Sequence, residues 1–583
     1  MTLPIYKIII NNRSYDEGSW SIIDPNMGTD ESLVLALNPR DAKLLSGDSF
    51  TYETIDGLKI IDSYVRTRLD IPAVLVLNNN KTYGRHPNNN KLLYKCVPDD
   101  ISIPAFLVPY EIKHMGFSKV FVNIFVTIQF VNWNLTHPLG MLTQVIGPID
   151  SCEHFYEYQL YCKGLNISLQ KFNKATNKSL HDMSINKETF ILDLSLSSKK
   201  DFIEDRTDWQ VFTIDPAGSL DFDDAFSIKV LDNGNTLVSI YIANVAICLD
   251  RLNLWSAFAK RTSTIYLPDK KRTMLPVILS DCLCSLQANA ARFAFTLDLE
   301  IDASGTIVFK RFTNSIIKVF KNFAYEERSL LRHPSYILLH SVVKQLLTQY
   351  KYIKYINDSH DVVCYLMILM NYLSAKDMLG FRAGIFRSAI IQKSENNDDP
   401  LIPDDISQFI KIWRSTSGKY IDIGNLGDDI SSINHDVLEL DAYIHITSPI
   451  RRLVDILNMI KFQECSGIYK LSDAALEFYN YWIKDIDYIN SNMKTIKHVQ
   501  NDCNLLHMCY NDPAILETLY DGYCFDEKAL ENDLYKYNIY LPELRITSIV
   551  ICGKLAPYEK RQYKLFVFDN EEKMKKKIRL HLV

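Results

Sequence analysis

The stretch TIDPAGSLDFDDA, from Thr213 to Ala225, holds four aspartates close together: Asp215, Asp221, Asp223 and Asp224. Two carboxylates about 4 Å apart repel by about 1 kcal/mol in water and about 4 kcal/mol at the effective dielectric of a protein surface, so converging carboxylates imply a bound cation. All-oxygen ligation without His or Cys favours Mg²⁺ or Mn²⁺ over zinc. Calcium is disfavoured because the segment lacks the Gly and terminal Glu of the twelve-residue calcium hairpin. Carboxylate-bound Mg²⁺ serves phosphoryl chemistry, in which one ion activates the attacking water and a second stabilises the leaving oxygen, so a two-ion site is expected. The plainer alternative is a solvated acidic turn.

Phosphoryl chemistry also needs positive charge, and SPIRRLVDILNMIKFQ supplies it. Ser448 reads as the cap of a helix with Pro449 in first position, where the missing amide costs nothing. Ile450, Leu453, Leu457 and Ile460 then make an apolar stripe, with Arg451 and Asp455 on an adjoining face. Arg451 would sit in the first turn, where free amides, helix dipole and guanidinium point at one anion. The alternative is a local Arg451–Asp455 pair. On the aspartate side, an extended Leu220–Asp224 would put Asp221 and Asp223 on one face about 6.5 Å apart. Asp215 ends the strand VFTID, and a turn at Pro216–Ser219 would bring its carboxylate back. The sequence holds no GxxxxGK loop, GxSxG elbow or HExxH helix, and the thirteen histidines show no ligand spacing.

These residues need scaffolding, and 583 residues exceed one core, so three or four domains are expected. A 47% apolar and 23% charged composition is that of an ordinary globular chain, and a net charge of −6 neither announces nor excludes a polyanionic partner. Up to about residue 195 the sequence reads as short strands and turns, predicting two small barrels that divide near residue 100, the second running from FVNIFVTIQFVNW to YEYQLYCKGL. SLSSKK at Ser195–Lys200 reads as a polar linker. From about 200 to 510 strands mix with helices, including SYILLHSVVKQLLTQY and VVCYLMILMNYLSAKDML. After about 515 strands return, and the end, EEKMKKKIRLHLV, is basic, as a solvated edge strand or an RNA-binding tail. There is no internal repeat. The twelve cysteines form no CxxC pair and read as reduced thiols of an intracellular, cytoplasmic protein. No secretory signal or membrane span is expected, since the longest apolar run, residues 121–133, is interrupted and β-prone. The Asn134 sequon then carries no meaning.

TIDPAGSLDFDDA resembles the metal-binding signature of the ribonuclease II family, whose catalytic module is the RNB domain, and HITSPIRRLVD resembles that family's second signature. Between them, and in order, IYLPDKKRTMLPVILSDCLCSL, Ala324–Glu327 and Gly384–Arg387 are similar to further family elements. The resemblance implies a multidomain α+β protein in which an RNB catalytic domain is flanked by small OB-type β-barrels, two cold-shock-like before and one S1-like after. The corresponding spans are 1–100 and 101–195 for the first two barrels, 196–512 for the catalytic domain and 513–583 for the last barrel. It further implies that Asp215, Asp221, Asp223 and Asp224 hold Mg²⁺, that Asp223 and Arg451 are catalytic with Arg451 on the scissile phosphate, and that Tyr266 stacks on the terminal nucleotide. Ser448, Arg387 and Arg452 complete the nucleic-acid-binding set, the two arginines as backbone contacts or salt bridges rather than catalysts.

This chain departs from the family at several points. Tyr241, Ile242, Ala243, Asn244 and Val245 stand where the family has HIADV, Cys364 and Tyr365 stand where an acidic pair is expected, and no glutamate is placed near Gln500–Asp502. The resemblance implies a monomeric, Mg²⁺-dependent, processive 3′-to-5′ exoribonuclease that degrades single-stranded RNA to nucleoside 5′-monophosphates. Its rivals are an RNA-binding scaffold with a catalytically weakened RNB domain and, further behind, an endonuclease or DNA-directed enzyme.

Overall fold

The computed structural model describes residues 4–583 apart from 17, 25–27, 30–36, 54–56, 113–120, 183–202, 428–430 and a run from 392 to 417 of which only 403, 406, 407, 409, 410 and 413 are described. The polar linker read at Ser195–Lys200 lies outside the described residues. The chain divides into two compact units: Met1–Asn166, Leu267–Asp269 and His498–Val583 form one, and Ile167–Tyr266 and Lys270–Lys497 form the other.

The first unit is built from small five-stranded β structures. Strands Tyr6–Ile10, Trp20–Asp24, Gly28–Thr29, Ser49–Thr51 and Lys59–Asp62 form one sheet, and Ile71–Leu75, Leu93–Pro98, Phe106–Pro109, Ile124–Asn132 and Leu139–Pro148 close into a barrel. The division between these two therefore falls between Asp62 and Ile71, and the boundary expected near residue 100 is corrected. CVPDD at 96–100 looks like a linker, but Leu93–Pro98 is a barrel strand that pairs with Ile71–Leu75 and Phe106–Pro109. Asp100 merely turns the chain, its carboxylate accepting the Ser102 amide at 2.9 Å. Ile124–Ile128 is buried on both faces. Val126 and Ile128 join the barrel core, and Phe125 stacks on Tyr158 with ring centroids 4.2 Å apart. Tyr158 belongs to a helix, Cys152–Cys162, so YEYQLYCKGL is not the strand its aromatic content suggested: its apolar face covers the outside of the barrel, and a second helix follows at Gln170–Asp182 in the other unit. Near the C-terminus, strands Tyr520–Ala529, Tyr535–Leu541, Ile546–Cys552, Lys560–Asn570 and Lys575–Leu582 make another five-stranded sheet. The basic end is its last strand, and Lys575 Nζ lies 2.7 Å from Asp99.

The second unit is centred on a closed barrel of Ile203–Asp215, Asp224–Val230, Thr236–Ala243, Ala291–Ile301 and Ile307–Ala324. The barrel closes by parallel pairing of its first and last strands, with Asp215 opposite Ala324. Helices Pro334–Gln349, Ser359–Gly380, Leu453–Ser466 and Asp473–Lys484 share one hydrophobic core with it. Ser359–Gly380 is long and apolar enough to cross a membrane by length and composition, yet it buries Val362, Tyr365, Leu366, Leu369 and Met370 in this core. Leu453–Ser466 is buried nearly all round, which only a central helix tolerates.

Candidate active site

Barrel closure decides where the aspartates meet. Asp215 is the last residue of the first strand and Asp224 the first residue of the second. The parallel register carries the chain from Ala324 to Tyr325, whose amide donates to the Asp215 carbonyl at 3.0 Å. Between the two aspartates, Pro216–Ser219 is a tight turn in which the Ser219 amide donates to the Pro216 carbonyl at 3.1 Å. Gly218 takes φ +84°, the left-handed value that the third position of a type II turn demands. Leu220–Asp223 is not a sheet strand. Its path is fixed by Ser285, whose hydroxyl donates to the Leu220 carbonyl at 2.7 Å and accepts the Phe222 amide at 3.0 Å. The Leu286 amide then holds the Phe222 carbonyl, and Ala243 holds that of Asp223. Ser285 follows a wide turn at Leu279–Leu283 in which the Cys284 amide reaches back to the Leu279 carbonyl.

The four carboxylates differ in what satisfies them. Asp223 is buried: its Oδ1 accepts the Ile450 amide at 2.9 Å and its Oδ2 lies 3.4 Å from Arg451 Nε. Asp221 accepts Lys271 Nζ at 2.8 Å on Oδ1 and the Tyr266 hydroxyl at 3.3 Å on Oδ2. Oδ2 of Asp215 and Oδ2 of Asp224 are buried with no hydrogen-bond partner. A buried carboxylate oxygen without a donor costs several kcal/mol, so these two atoms are the positions that an ion would satisfy. Burial raises the Asp215 pKa to about 7, the charge of Asp221 adding to it. Asp223 also rises to about 7 through burial, against the opposing pull of Arg451. Asp224 rises well above the carboxylate range through burial and then the charges of Asp215 and Asp223. Two buried carboxylate oxygens without a donor, in a site where burial and like charge disfavour ionisation, fit a divalent ion. Among the described residues, the His, Cys, Asp or Glu atoms that all lie within 4.8 Å of one another are those of Asp358, His360 and Asp361 instead. The aspartate site is more open than that, which suits an ion that keeps several of its waters.

The second signature does not fold as its sequence suggested. The helix begins at Leu453, with Arg452 as its N-terminal flanking residue, and Pro449–Arg451 form a turn that leaves Ser448 outside the helix. The cause is long-range: buried Asp455 takes the Ser448 amide at 2.7 Å and pairs with the Arg452 guanidinium, fixing the turn from inside. The expected Ser448 cap is thus corrected, and the ion pair with Asp455 belongs to Arg452. Arg451 is left to face Asp223, with Nη2 donating to Ser448 Oγ at 2.9 Å while the side chain stays 47% exposed. The Ile450 amide, one of those expected to meet an anion, serves Asp223.

Tyr266 presents a half-exposed ring beside this cluster, its pKa raised by burial of the hydroxyl and by the charge of Asp221. The structure thus brings together Asp215, Asp221, Asp223, Asp224, Tyr266, Ser448 and Arg451. Arg387 and Arg452 are engaged elsewhere: Arg387 donates to the Gly418 carbonyl and lies 4.8 Å over the Tyr420 ring, and Arg452 is committed to Asp455.

Several residues of the site escaped sequence reading. Tyr325 lies close enough to Asp224 and Asp215 for their charges to raise its pKa, after burial. Asn371 supports the second signature by donating to Tyr443 Oη at 3.0 Å and to Thr447 Oγ1 at 3.3 Å, and by accepting the Ile446 amide at 3.0 Å. Lys271 bridges Asp221 and Asp281 at 2.8 and 3.0 Å, and these hydrogen bonds overcome burial to hold its pKa up. Only the residue types of Ser285 and Asn371, polar within apolar runs, gave any signal. The departures at 241–245 are structurally absorbed. Tyr241 bonds Ser227 at 2.9 Å, and Asn244 caps the helix Val245–Arg251 while donating to Asn314 at 2.9 Å.

Residues 203–357 match the RNB domain family. The exosome complex exonuclease dis3 of Schizosaccharomyces pombe is 38% identical over 131 residues, which is 22% of this chain and 13% of that relative, so the chain aligns with a small part of that protein's length. Two solved structures share the fold. RNase R of Mycoplasma genitalium, in complex with ribose methylated single-stranded RNA, superposes with a TM-score of 0.69 at 16% identity, covering 99% of this chain and all of that one. Yeast Ssd1, a pseudonuclease, superposes with a TM-score of 0.56 at 13% identity over 96% of this chain and 80% of that one.

Proposed function

Since residues 203–357 match the RNB domain family, we propose that the chain is a member of the ribonuclease II family, a processive 3′-to-5′ exoribonuclease that uses Mg²⁺ to hydrolyse single-stranded RNA to nucleoside 5′-monophosphates. The carrying observation is the pair of unpartnered buried oxygens on Asp215 and Asp224, set beside an arginine that is oriented yet half exposed. Asp215 and Asp224 would hold Mg²⁺, with Asp221 and Asp223 adding negative charge around it. When bound, such an ion supplies Lewis-acid stabilisation of the phosphate and lowers the pKa of a bound water.

The chain's own residues do the rest. Arg451, aimed by Ser448 and Asp223, meets the non-bridging oxygens of the terminal phosphodiester and stabilises the charge that grows there. Tyr266 stacks on the last base, a contact worth about 1–3 kcal/mol that every base offers. The Tyr266 hydroxyl donates to Asp221 Oδ2, which keeps the ring in place. Asp223 holds the aspartate loop and the second signature in register through the Ile450 amide. The small five-stranded β structures gather RNA by charge and stacking.

A second reading, an RNA-binding scaffold with a weakened catalytic domain, is favoured by Cys364 and Tyr365 at the expected acidic pair and by the fold shared with a pseudonuclease. Incubation with Mg²⁺ and 5′-labelled single-stranded RNA separates the two. Stepwise shortening that stops in Asp223→Asn supports the nuclease, and binding without turnover supports the scaffold.

A further inference from the structure

The hairpin that carries Tyr266 has a second functional residue. Strand Ile265–Tyr266 pairs antiparallel with Lys271–Arg272, Tyr266 standing opposite Lys271. Both side chains reach one carboxylate: Tyr266 meets Asp221 Oδ2 and Lys271 meets Asp221 Oδ1. Lys271 Nζ also lies 3.0 Å from Asp281 Oδ1, which in turn accepts the Ser280 hydroxyl at 2.7 Å. An ammonium gripped by two mostly buried carboxylates is no surface ion pair, for all three side chains are at least three-quarters covered. Its Nζ sits between Asp221 and Asp281, within hydrogen-bond distance of both. A lysine ammonium suits that place because it is a compact point charge with three donors.

With every carboxyl ionised, as ion ligation requires, the four aspartates and Asp281 would carry five formal negative charges, and Arg451 with Lys271 would return two positive ones, leaving −3. One divalent ion brings this to −1 and a second would overshoot to +1. The unpartnered oxygens agree, being on Asp215 and Asp224 and not on Asp221. We propose that Lys271 is a built-in cation that fills the position of a second divalent ion, so the site takes one Mg²⁺, on Asp215 and Asp224. This makes Lys271 a positioning residue, and it rests on the reading of the aspartates as ion ligands given above.

Manganese titration of the ion-stripped full chain, with free Mn²⁺ read by electron paramagnetic resonance, tests it. Wild type is expected to saturate at one Mn²⁺ per chain, Lys271→Met and Lys271→Gln at two with the line broadening of a coupled pair, and Lys271→Arg at one because the positive charge is kept. Asp224→Asn is expected to lose the single ion. Two neutral replacements are used so that a folding defect in one, seen by circular dichroism, leaves the other decisive. Two ions in wild type, or one in both neutral variants, would overturn the role of Lys271 while leaving the aspartate reading intact. No ion in wild type would overturn both.

Discussion

Asp215→Asn should stabilise the ion-free protein and abolish its response to magnesium. One oxygen of the Asp215 carboxyl is buried and unpartnered, and desolvation raises its pKa from 3.8 to about 7. The folded state therefore holds a proton that the unfolded state has released between about pH 4 and pH 7, so stability falls as the pH rises through that window and is lower by a constant amount above it. A difference of about 3 units at 1.36 kcal/mol each sets the penalty at about 4 kcal/mol. At about 2.1 cal/mol/K per residue, a unit of about 330 residues unfolds with an entropy near 0.7 kcal/mol/K, so the penalty amounts to about 6 °C in midpoint. Calorimetry in EDTA from pH 4 to pH 9 should show a wild-type midpoint that drops relative to the variant across pH 4–7, with the gap levelling near that figure above pH 7. Magnesium at a hundred times its dissociation constant should return about 2.7 kcal/mol to the wild type and nothing to the variant. A gap that does not change with pH, or equal magnesium shifts in both proteins, would refute the reasoning.

Other substitutions separate the roles of the site. Arg451→Ala is expected to lower kcat by about 10²-fold or more in single-turnover assays while RNA affinity changes little, and Arg451→Lys should not restore it, since an ammonium cannot reproduce the oriented fork. Tyr266→Ala should weaken binding of short single-stranded RNA by about 5- to 150-fold in fluorescence anisotropy, the equivalent of 1–3 kcal/mol for one stacked base, with equal effect on all four terminal bases. Asn371→Ala strips three hydrogen bonds from the buried support of the second signature and should cost about 2–4 kcal/mol in chemical denaturation, lowering turnover with it.

The sequence disclosed the parts of the site whose meaning is local. Four aspartates in one stretch declare their mutual repulsion, and PAGS declares a turn that needs glycine at 218. What was misread depends on partners far away in the chain. The Ser448–Pro449 pair has the chemistry of a helix start, but Asp455 captures the Ser448 amide from below and delays the helix to Leu453. That same capture diverts Arg452 to Asp455 and frees Arg451 for Asp223, a distinction invisible in the spacing of two adjacent arginines. YEYQLYCKGL carries strand-like aromatics, yet Phe155 and Tyr158 are wanted on one helical face to cover Phe125 of the barrel. Lys271, Ser285 and Asn371 look like ordinary polar residues until folding sets them against Asp221, the aspartate loop and the second signature.

The proposed cleavage of RNA from its 3′ end by this cluster is open to one direct measurement. Purified full-length chain, Mg²⁺ and a 5′-labelled single-stranded RNA are resolved on a denaturing gel beside Asp223→Asn. The expected result is conversion of full-length RNA from the 3′ end to a short labelled end product with few intermediates, absent in the variant. RNA that is bound but left at full length by the wild-type protein, or cut at internal positions, would contradict it.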